Sequence, residues 1–215
     1  MSSKYDERYR GEDFYYGTEP NDFLRESIGF IPRGGRVLCL AEGEGRNAVF
    51  LAENGFKVTA VDLSPYGVEK QQALAARKSV SIVSICADLA EYDFGTEAWD
   101  GIVSIFCHLP PPLRKLVNAR SVAALKPGGV LILEAYRPEQ AGRSTGGPPD
   151  PALCISPEII KSDFGALQWT VCEITERHVI EGRGHTGIGA VIRFIGTRPA
   201  ATRSAKAVVP DGSRL

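Results

Sequence analysis

The sequence predicts an α/β protein built on a doubly wound, mostly parallel sheet, and three observations carry that prediction. Short β-branched apolar runs alternate with segments of helical period between residues 36 and 127. A glycine turn, Gly43-Glu44-Gly45, separates the first apolar run from the first helical segment. After residue 135 the alternation stops, and two strand-like runs joined by a glycine-rich link take its place.

Residues 36–41 (RVLCLA) read as a first buried strand. Residues 46–54 then set Ala48, Val49, Leu51 and Ala52 on one helical face, with Gly55 as the left-handed residue after the helix. Residues 57–62 (KVTAVD) form the second strand. Ser64-Pro65 pairs an N-cap hydroxyl with a proline at the first helical position, which predicts a helix to about residue 78. Residues 80–87 and 99–106 are the third and fourth strands. The helix predicted over 110–125 opens on three prolines and stops at Lys126-Pro127-Gly128-Gly129, after which residues 130–135 (VLILEA) are the fifth strand.

Residues 138–151 (PEQAGRSTGGPPDP) are too long for an ordinary connection and read as a lid or mobile loop. A short helix follows Ser156-Pro157, to about residue 164. Strands near 169–180 and 188–198, linked by residues 181–187, suggest an antiparallel hairpin. The tail, residues 199–215, lacks a strong period and is expected to be disordered or lightly packed.

Composition narrows the function. Lys plus Arg total 25 against 26 for Asp plus Glu, so a net charge of −1 offers no broad basic field for nucleic acid or a membrane surface. The five cysteines are scattered and include no C-x-x-C pair, which argues against a disulfide framework or a zinc site and fits a reducing, cytoplasmic setting. No apolar run approaches the ~20 residues of a membrane span, and no signal segment opens the chain.

The turn Ala41-Glu42-Gly43-Glu44-Gly45-Arg46-Asn47-Ala48 lets a ligand approach the backbone where a helix N-terminus presents free N–H groups. Its string GEGRNA also fits the dinucleotide pattern G-x-G-x-x-G/A, so a nicotinamide enzyme stays open, as does a purely structural turn. Asp62, ending the second strand, is placed to accept bonds from both ribose hydroxyls. Asp88 ends the third strand and is either an adenine contact or a local cap.

The stretches VLCLAEGEGRNAVFLA, VTAVDLS, CADL, WDGIVSIF, LKPGG, LILEAY, TGGPPDP and EGRGHTG, in this order over residues 14–197, resemble the class I S-adenosylmethionine-dependent methyltransferases. More narrowly they are similar to the tellurite-resistance (TehB-like) and thiopurine methyltransferase superfamily. The resemblance implies a Rossmann-like fold, a seven-stranded sheet with an antiparallel last strand, in one domain over residues 1–198 with an N-terminal arm and helix in 1–30. It implies S-adenosyl-L-methionine as cofactor and S-adenosyl-L-homocysteine as product. Carried over residue by residue, it sets the methionyl part against Ala41, Glu42, Gly43, Gly45 and Asn47, the ribose on Asp62, and the adenine between Leu63 and Leu89 with Asp88 at its edge, with Ser64 and Phe106 nearby. Two positions depart from the pattern: Cys39 stands where many relatives carry an acid, and Ala41 where they carry glycine.

Methyl transfer needs alignment and water exclusion rather than an enzyme nucleophile. His108, after the fourth strand, is either a general base or a residue packed beside Pro110. His185 and Arg183, in the late glycine-rich link, can serve an acceptor or can merely fix the loop; His178 reads as structural. Tyr16 is the expected cofactor neighbour from the aromatic arm Phe14-Tyr15-Tyr16. The leading expectation is a methyltransferase acting on a small-molecule acceptor such as a thiol, a chalcogen oxyanion or a related xenobiotic. An NAD-dependent oxidoreductase and a non-catalytic S-adenosylmethionine-binding protein are the alternatives, and the oligomeric state is open.

Overall fold

A computed structural model describes residues 4–200 of the chain. Seven strands form one sheet in the order β3-β2-β1-β4-β5-β7-β6. They are β1 (Arg36–Leu40), β2 (Lys57–Asp62), β3 (Val83–Cys86), β4 (Trp99–Ile105), β5 (Leu125–Tyr136), β6 (Gln168–Glu181) and β7 (His185–Thr197). The first five run parallel, and β7 lies antiparallel between β5 and β6. The predicted antiparallel last strand is therefore present, inserted inside the sheet while β6 forms its edge.

Strand alternation builds the two cores. Leu38 and Leu40 of β1 face one side, with Val117 and Ala124 of α5 (Pro111–Ala124) and Ile160 and Phe164 of α6 (Pro157–Phe164). Val37 and Cys39 face the other, with Leu24 of α2 (Asp22–Ser27) and Ala48 and Leu51 of α3 (Arg46–Glu53). Beyond α3, Val49 packs on Leu74 and Ala75 of α4 (Pro65–Arg77). The predicted caps act as expected: the Ser64 and Ser156 hydroxyls accept from Gly67 N and Ile159 N, and Gly55 has φ +83°.

Three boundaries differ from the sequence expectation. β3 starts at Val83 because Val80 and Ile82 are diverted to pack against Val49 and Leu74, after Ser79 turns the chain at φ +56°. β5 starts at Leu125 because α5 passes directly into an extended residue that pairs with Trp99. Pairing resumes at Val130 opposite Gly101, so Lys126-Pro127-Gly128-Gly129 is a bulge within the strand rather than a stop before it. The hairpin is tighter than predicted: Glu181 pairs with His185, which leaves Gly182-Arg183-Gly184 as the link and places His185 on β7.

The segment expected as a mobile loop is pinned by buried Gln140. Its amide nitrogen donates to Thr145 Oγ1 and Gly146 O, and its carbonyl accepts from Ala190 N of β7. At the other end of the chain, α1 (Lys4–Tyr9) and α2 form the N-terminal arm. Of the predicted tail, Pro199 and Ala200 are exposed, and residues 201–215 lie outside the described residues. Among the described residues no helix is long and apolar enough to cross a membrane.

The arm and the hairpin meet in a buried ionic cluster. Glu134 of β5, fully buried, accepts from Asn21 Nδ2, from Arg177 Nε and Nη2, and from Arg193 Nε. Glu181 accepts from Asn21 Nδ2, Arg46 Nη2 and Arg177 Nη2. Burial alone would raise the Glu181 pKa, yet Arg46 and Arg177 hold it well below the usual carboxylate range. Replacing Glu134 by Ala leaves Arg177 and Arg193 short of a counter-charge in a dry site, and we expect a loss of about 3–5 kcal/mol, read as a lower urea midpoint at unchanged slope.

Candidate active site

A cavity of about 600 Å³ opens beyond the carboxyl ends of the parallel strands. It sits where β1 is flanked by β2 on one side and β4 on the other, the switch point at which such sheets bind ligands. Two non-glycine residues there adopt left-handed backbone, Ala41 after β1 (φ +47°) and Phe106 after β4 (φ +51°). Each costs on the order of 1 kcal/mol, strain that characteristically collects at ligand sites.

Asp62 is the centre of the floor. Its carboxylate accepts from Gly43 N at 2.7 Å and from Ser64 N at 2.9 Å, so it clasps the loops after β1 and β2. Burial raises its pKa, and these backbone bonds oppose the rise. Leu63, 60% exposed, and Leu89 are apolar walls of the cavity, and Asp88 at its edge also closes a turn by accepting from Ala90 N. Ser64 lines the cavity and donates to Asp6 of α1.

Glu42 lies on the wall but its carboxylate is committed. One oxygen accepts from Asn47 N and Ala48 N at 2.9 and 2.8 Å, capping the otherwise unsatisfied start of α3. Asn47 also lines the cavity while its Oδ1 accepts from Asn21 N of the arm. Gly45, expected against the cofactor, is not among the residues that line the cavity. A Cβ there would come within 2.8 Å of the Gln71 backbone, so its glycine serves the packing of α4 at φ +95°.

Aromatic rings make the roof. Tyr16 stands 4.7 Å from His185, ring to ring, and its hydroxyl accepts from Arg8. Tyr9 is packed so close over the glycine turn that a Cβ on Gly43 would come within 2.7 Å of its hydroxyl. Tyr5, Arg8 and Tyr9 all line the cavity, and sequence reasoning missed them. The available signal was the Tyr5/Tyr9 spacing, which stacks two aromatics on one helical face.

Both candidate histidines reach the cavity. His108 donates through Nδ1 to Leu153 O, and burial pushes its pKa down to about 4, leaving a neutral ring whose buried Nε2 has no partner among the described residues. His185 lies with Nδ1 3.8 Å from Glu181 and its ring against Phe106 and Tyr136. Burial lowers its pKa, and Glu181 opposes the shift. Arg183 is corrected: it points outward, 66% exposed, beside Asp13 at 3.7 Å, because the short hairpin link turns its side chain away from the cavity that Gly184 and His185 line. His178 is exposed on β6, outside the cavity. No group of metal-ligating residues occurs among the described residues.

Glu42 gives the site a pH signature. Burial raises its pKa from the carboxylate range to about 7. Between the unfolded value and about pH 7 the folded state holds a proton that the unfolded chain releases, so this contribution is complete in acid and lost as pH rises through 7. In Glu42→Gln, which keeps the accepting oxygen, the loss should disappear. Relative to wild type, the variant should gain about 2.5 kcal/mol of unfolding free energy from pH 5 to pH 8 in paired urea titrations.

Comparison with known proteins agrees with this architecture. Residues 37–129 match a family model described as a methyltransferase domain. The Bacillus subtilis (strain 168) protein YqeM, named as a methyltransferase, is 32% identical over 114 residues, or 49% of this chain and 44% of that protein, so the chain spans less than half of that relative. A structure described for the conversion of a disulfide bond into a thioacetal group during echinomycin biosynthesis superposes at TM-score 0.70 and 20% identity, covering 94% of each chain. TehB from Haemophilus influenzae superposes at TM-score 0.67 and 16% identity, covering 90% of this chain and 65% of that one. At such identities the structures establish the shared fold, and residues 37–129 are in addition similar to a methyltransferase domain.

Proposed function

We propose that the protein transfers the methyl group of S-adenosylmethionine to a small-molecule acceptor. The observation that carries this reading is the placement of the Asp62 carboxylate and the His185 imidazole on the walls of one cavity of about 600 Å³ at the sheet's switch point. The residues present fit the cofactor: a fixed carboxylate for the ribose hydroxyls, Leu63 and Leu89 for the adenine faces, and a glycine turn under the methionyl part. When bound, S-adenosylmethionine would supply an activated methyl group on a sulfonium, the acceptor's lone pair bonding to the methyl carbon as its bond to sulfur breaks and S-adenosylhomocysteine leaves.

The chain's own work is then alignment, dryness and proton removal. Tyr9 and Tyr16 close the cavity from the arm side, and Gly146 and Gly147 border it from the pinned loop. His185, neutral near pH 7, receives the proton that the acceptor loses, and Glu181 stabilises the imidazolium that forms. His108 is the second accepting nitrogen of the cavity wall. Arg183 has no role in this scheme.

For the acceptor we favour a thiol, a chalcogen oxyanion or a related xenobiotic. The echinomycin protein of the same fold, whose reaction is described at sulfur, supports that range. A net charge of −1 supports a small diffusible substrate over nucleic acid or a membrane, and five free cysteines support the cytoplasm.

Ligand-induced thermal stabilisation separates this reading from a nicotinamide enzyme. S-adenosylhomocysteine should raise the Tm in a concentration-dependent way and NAD should not, and Asp62→Ala should abolish most of the shift; the reverse ligand preference overturns the assignment. His185→Gln should lower kcat by about 10²- to 10⁴-fold in a labelled-methyl assay across thiol and oxyanion acceptors while S-adenosylhomocysteine affinity changes little. Tight binding with no transfer to any acceptor in that panel would favour a non-catalytic binder.

A further inference from the structure

Tyr136, the last residue of β5, carries a hydroxyl that the scheme above does not use. The side chain is fully buried, and its Oη has no hydrogen-bond partner among the described residues. The ring cannot swing away to find one. Phe106 stacks on it with centroids 4.5 Å apart, and its two edges meet Gly147 and Gly189, where an added Cβ would come within 3.0 Å of Cδ2 and of Cε1. A phenol held this firmly out of water has lost its hydration, and its hydroxyl calls for a partner that no described side chain supplies.

The same corner holds a second such atom. His185 Nδ1 is buried and unpartnered, and its 3.8 Å to Glu181 Oε2 is too long for a direct hydrogen bond. The two rings meet edge to face at 5.3 Å, and the Tyr136 hydroxyl feels the Glu181 charge, which adds to burial in raising its pKa. Two orphaned polar atoms and a carboxylate oxygen thus gather behind the imidazole. Polar atoms separated by slightly more than a hydrogen bond are the usual setting of a bridging water, and a buried water typically has about three such partners.

Resting on the role of His185 proposed above, we infer that Tyr136 is a positioning residue: its hydroxyl, His185 Nδ1 and Glu181 Oε2 hold one water between them, which fixes the imidazole for proton removal. The water accepts from Nδ1–H and from the Tyr136 O–H, and it donates to Glu181. Neutral His185 is then locked with its proton on Nδ1 and its lone pair on Nε2, the nitrogen left for the cavity that the ring lines. When the acceptor's proton moves to Nε2, Glu181 offsets the imidazolium charge across the water, while the water and Tyr136 keep their own protons. Tyr136 is not among the residues that line the cavity, so it acts through His185.

The other groups around the imidazole do not set this tautomer. Arg46 is paired with Glu181 and Arg8 donates to the Tyr16 hydroxyl, so both reach His185 only as charges that oppose its protonation. Tyr16 and Phe106 meet it through their rings, and His108 feels its charge while bonded to Leu153 O.

Nitrogen-15 NMR of the histidine rings tests the inference without any acceptor, with the His185 signals assigned by their loss in His185→Gln. In the neutral wild-type ring the Nδ1–H tautomer should dominate, and a high-resolution crystal structure should place a water about 2.8 Å from each of the three groups. Tyr136→Phe, which keeps the ring, should shift the tautomer ratio toward Nε2–H by about two- to tenfold, the equivalent of one lost hydrogen bond. It should also lower the apparent pKa of His185 and leave S-adenosylhomocysteine affinity, read by calorimetry, within about twofold of wild type. An unmoved tautomer ratio and titration in Tyr136→Phe would overturn the inference. So would a wild-type ring protonated on Nε2, or wild-type crystals with no water between the three groups, and these two results stand even where the variant fails to fold. Wild-type protein that binds no S-adenosylhomocysteine would overturn the methyl-transfer reading and the purpose of the bridge with it, an outcome separate from the tautomer result.

Discussion

The buried pairing of Glu134 and Glu181 with three arginines is the constraint on which the rest of the structure depends. Two carboxylates this deep are tolerable only because every donor around them is supplied from a different part of the chain: Asn21 from the arm, Arg46 from the glycine-turn helix, Arg177 and Arg193 from the hairpin strands. Remove one contributor and the groups it bonded stay buried with a bond fewer; without Asn21, for example, both carboxylates lose a donor. The cluster consequently forms as a unit, and its formation brings together elements separated by more than a hundred residues. Such an arrangement adds little net stability over an apolar core but penalises every alternative docking of arm and hairpin.

The same constraint organises the site. Glu181 is held by Arg46 and Arg177 and stands 3.8 Å from His185 Nδ1, so the negative charge beside the imidazole is positioned by the cluster. Asn21 bonds both Glu134 and Glu181 while its backbone N–H donates to Asn47, so the arm that carries Tyr9 and Tyr16 is registered to the glycine turn. Roof and floor are thus set by one network, although they come from opposite ends of the fold.

What was legible in the sequence follows from the range of the forces involved. β2 and α3 obey local rules of periodicity and capping, and their expected and observed limits agree to within a residue. β3 and β5 do not, because Val80 is taken by a neighbouring helix and Leu125 is recruited by Trp99 across the sheet, both tertiary choices. In the site, Asp62, Asp88, Phe106 and His185 were readable since a strand end in a parallel sheet is also a position at the cavity. Gly45 and Arg183 misled because a motif records which residues recur without recording what they face. Arg8 and Tyr9 were missed for the complementary reason: the Tyr5/Tyr9 spacing marks a helical face, but the arm's register on the sheet is set by Asn21 and Asn47, through a bond that no local pattern announces.

The hairpin link has a consequence for how this sequence can drift. A Cβ at Gly182 would come within 2.4 Å of the Tyr15 carbonyl, and one at Gly184 within 2.4 Å of the Tyr16 ring, whereas the Arg183 backbone N–H donates to Tyr15 O and its side chain leaves for solvent. Neutral substitution is therefore open at the middle residue and closed at both of its neighbours. Over long divergence the link should vary at its most chemically conspicuous residue and hold still at its two plainest ones, because those two are where the end of the chain's arm comes to rest.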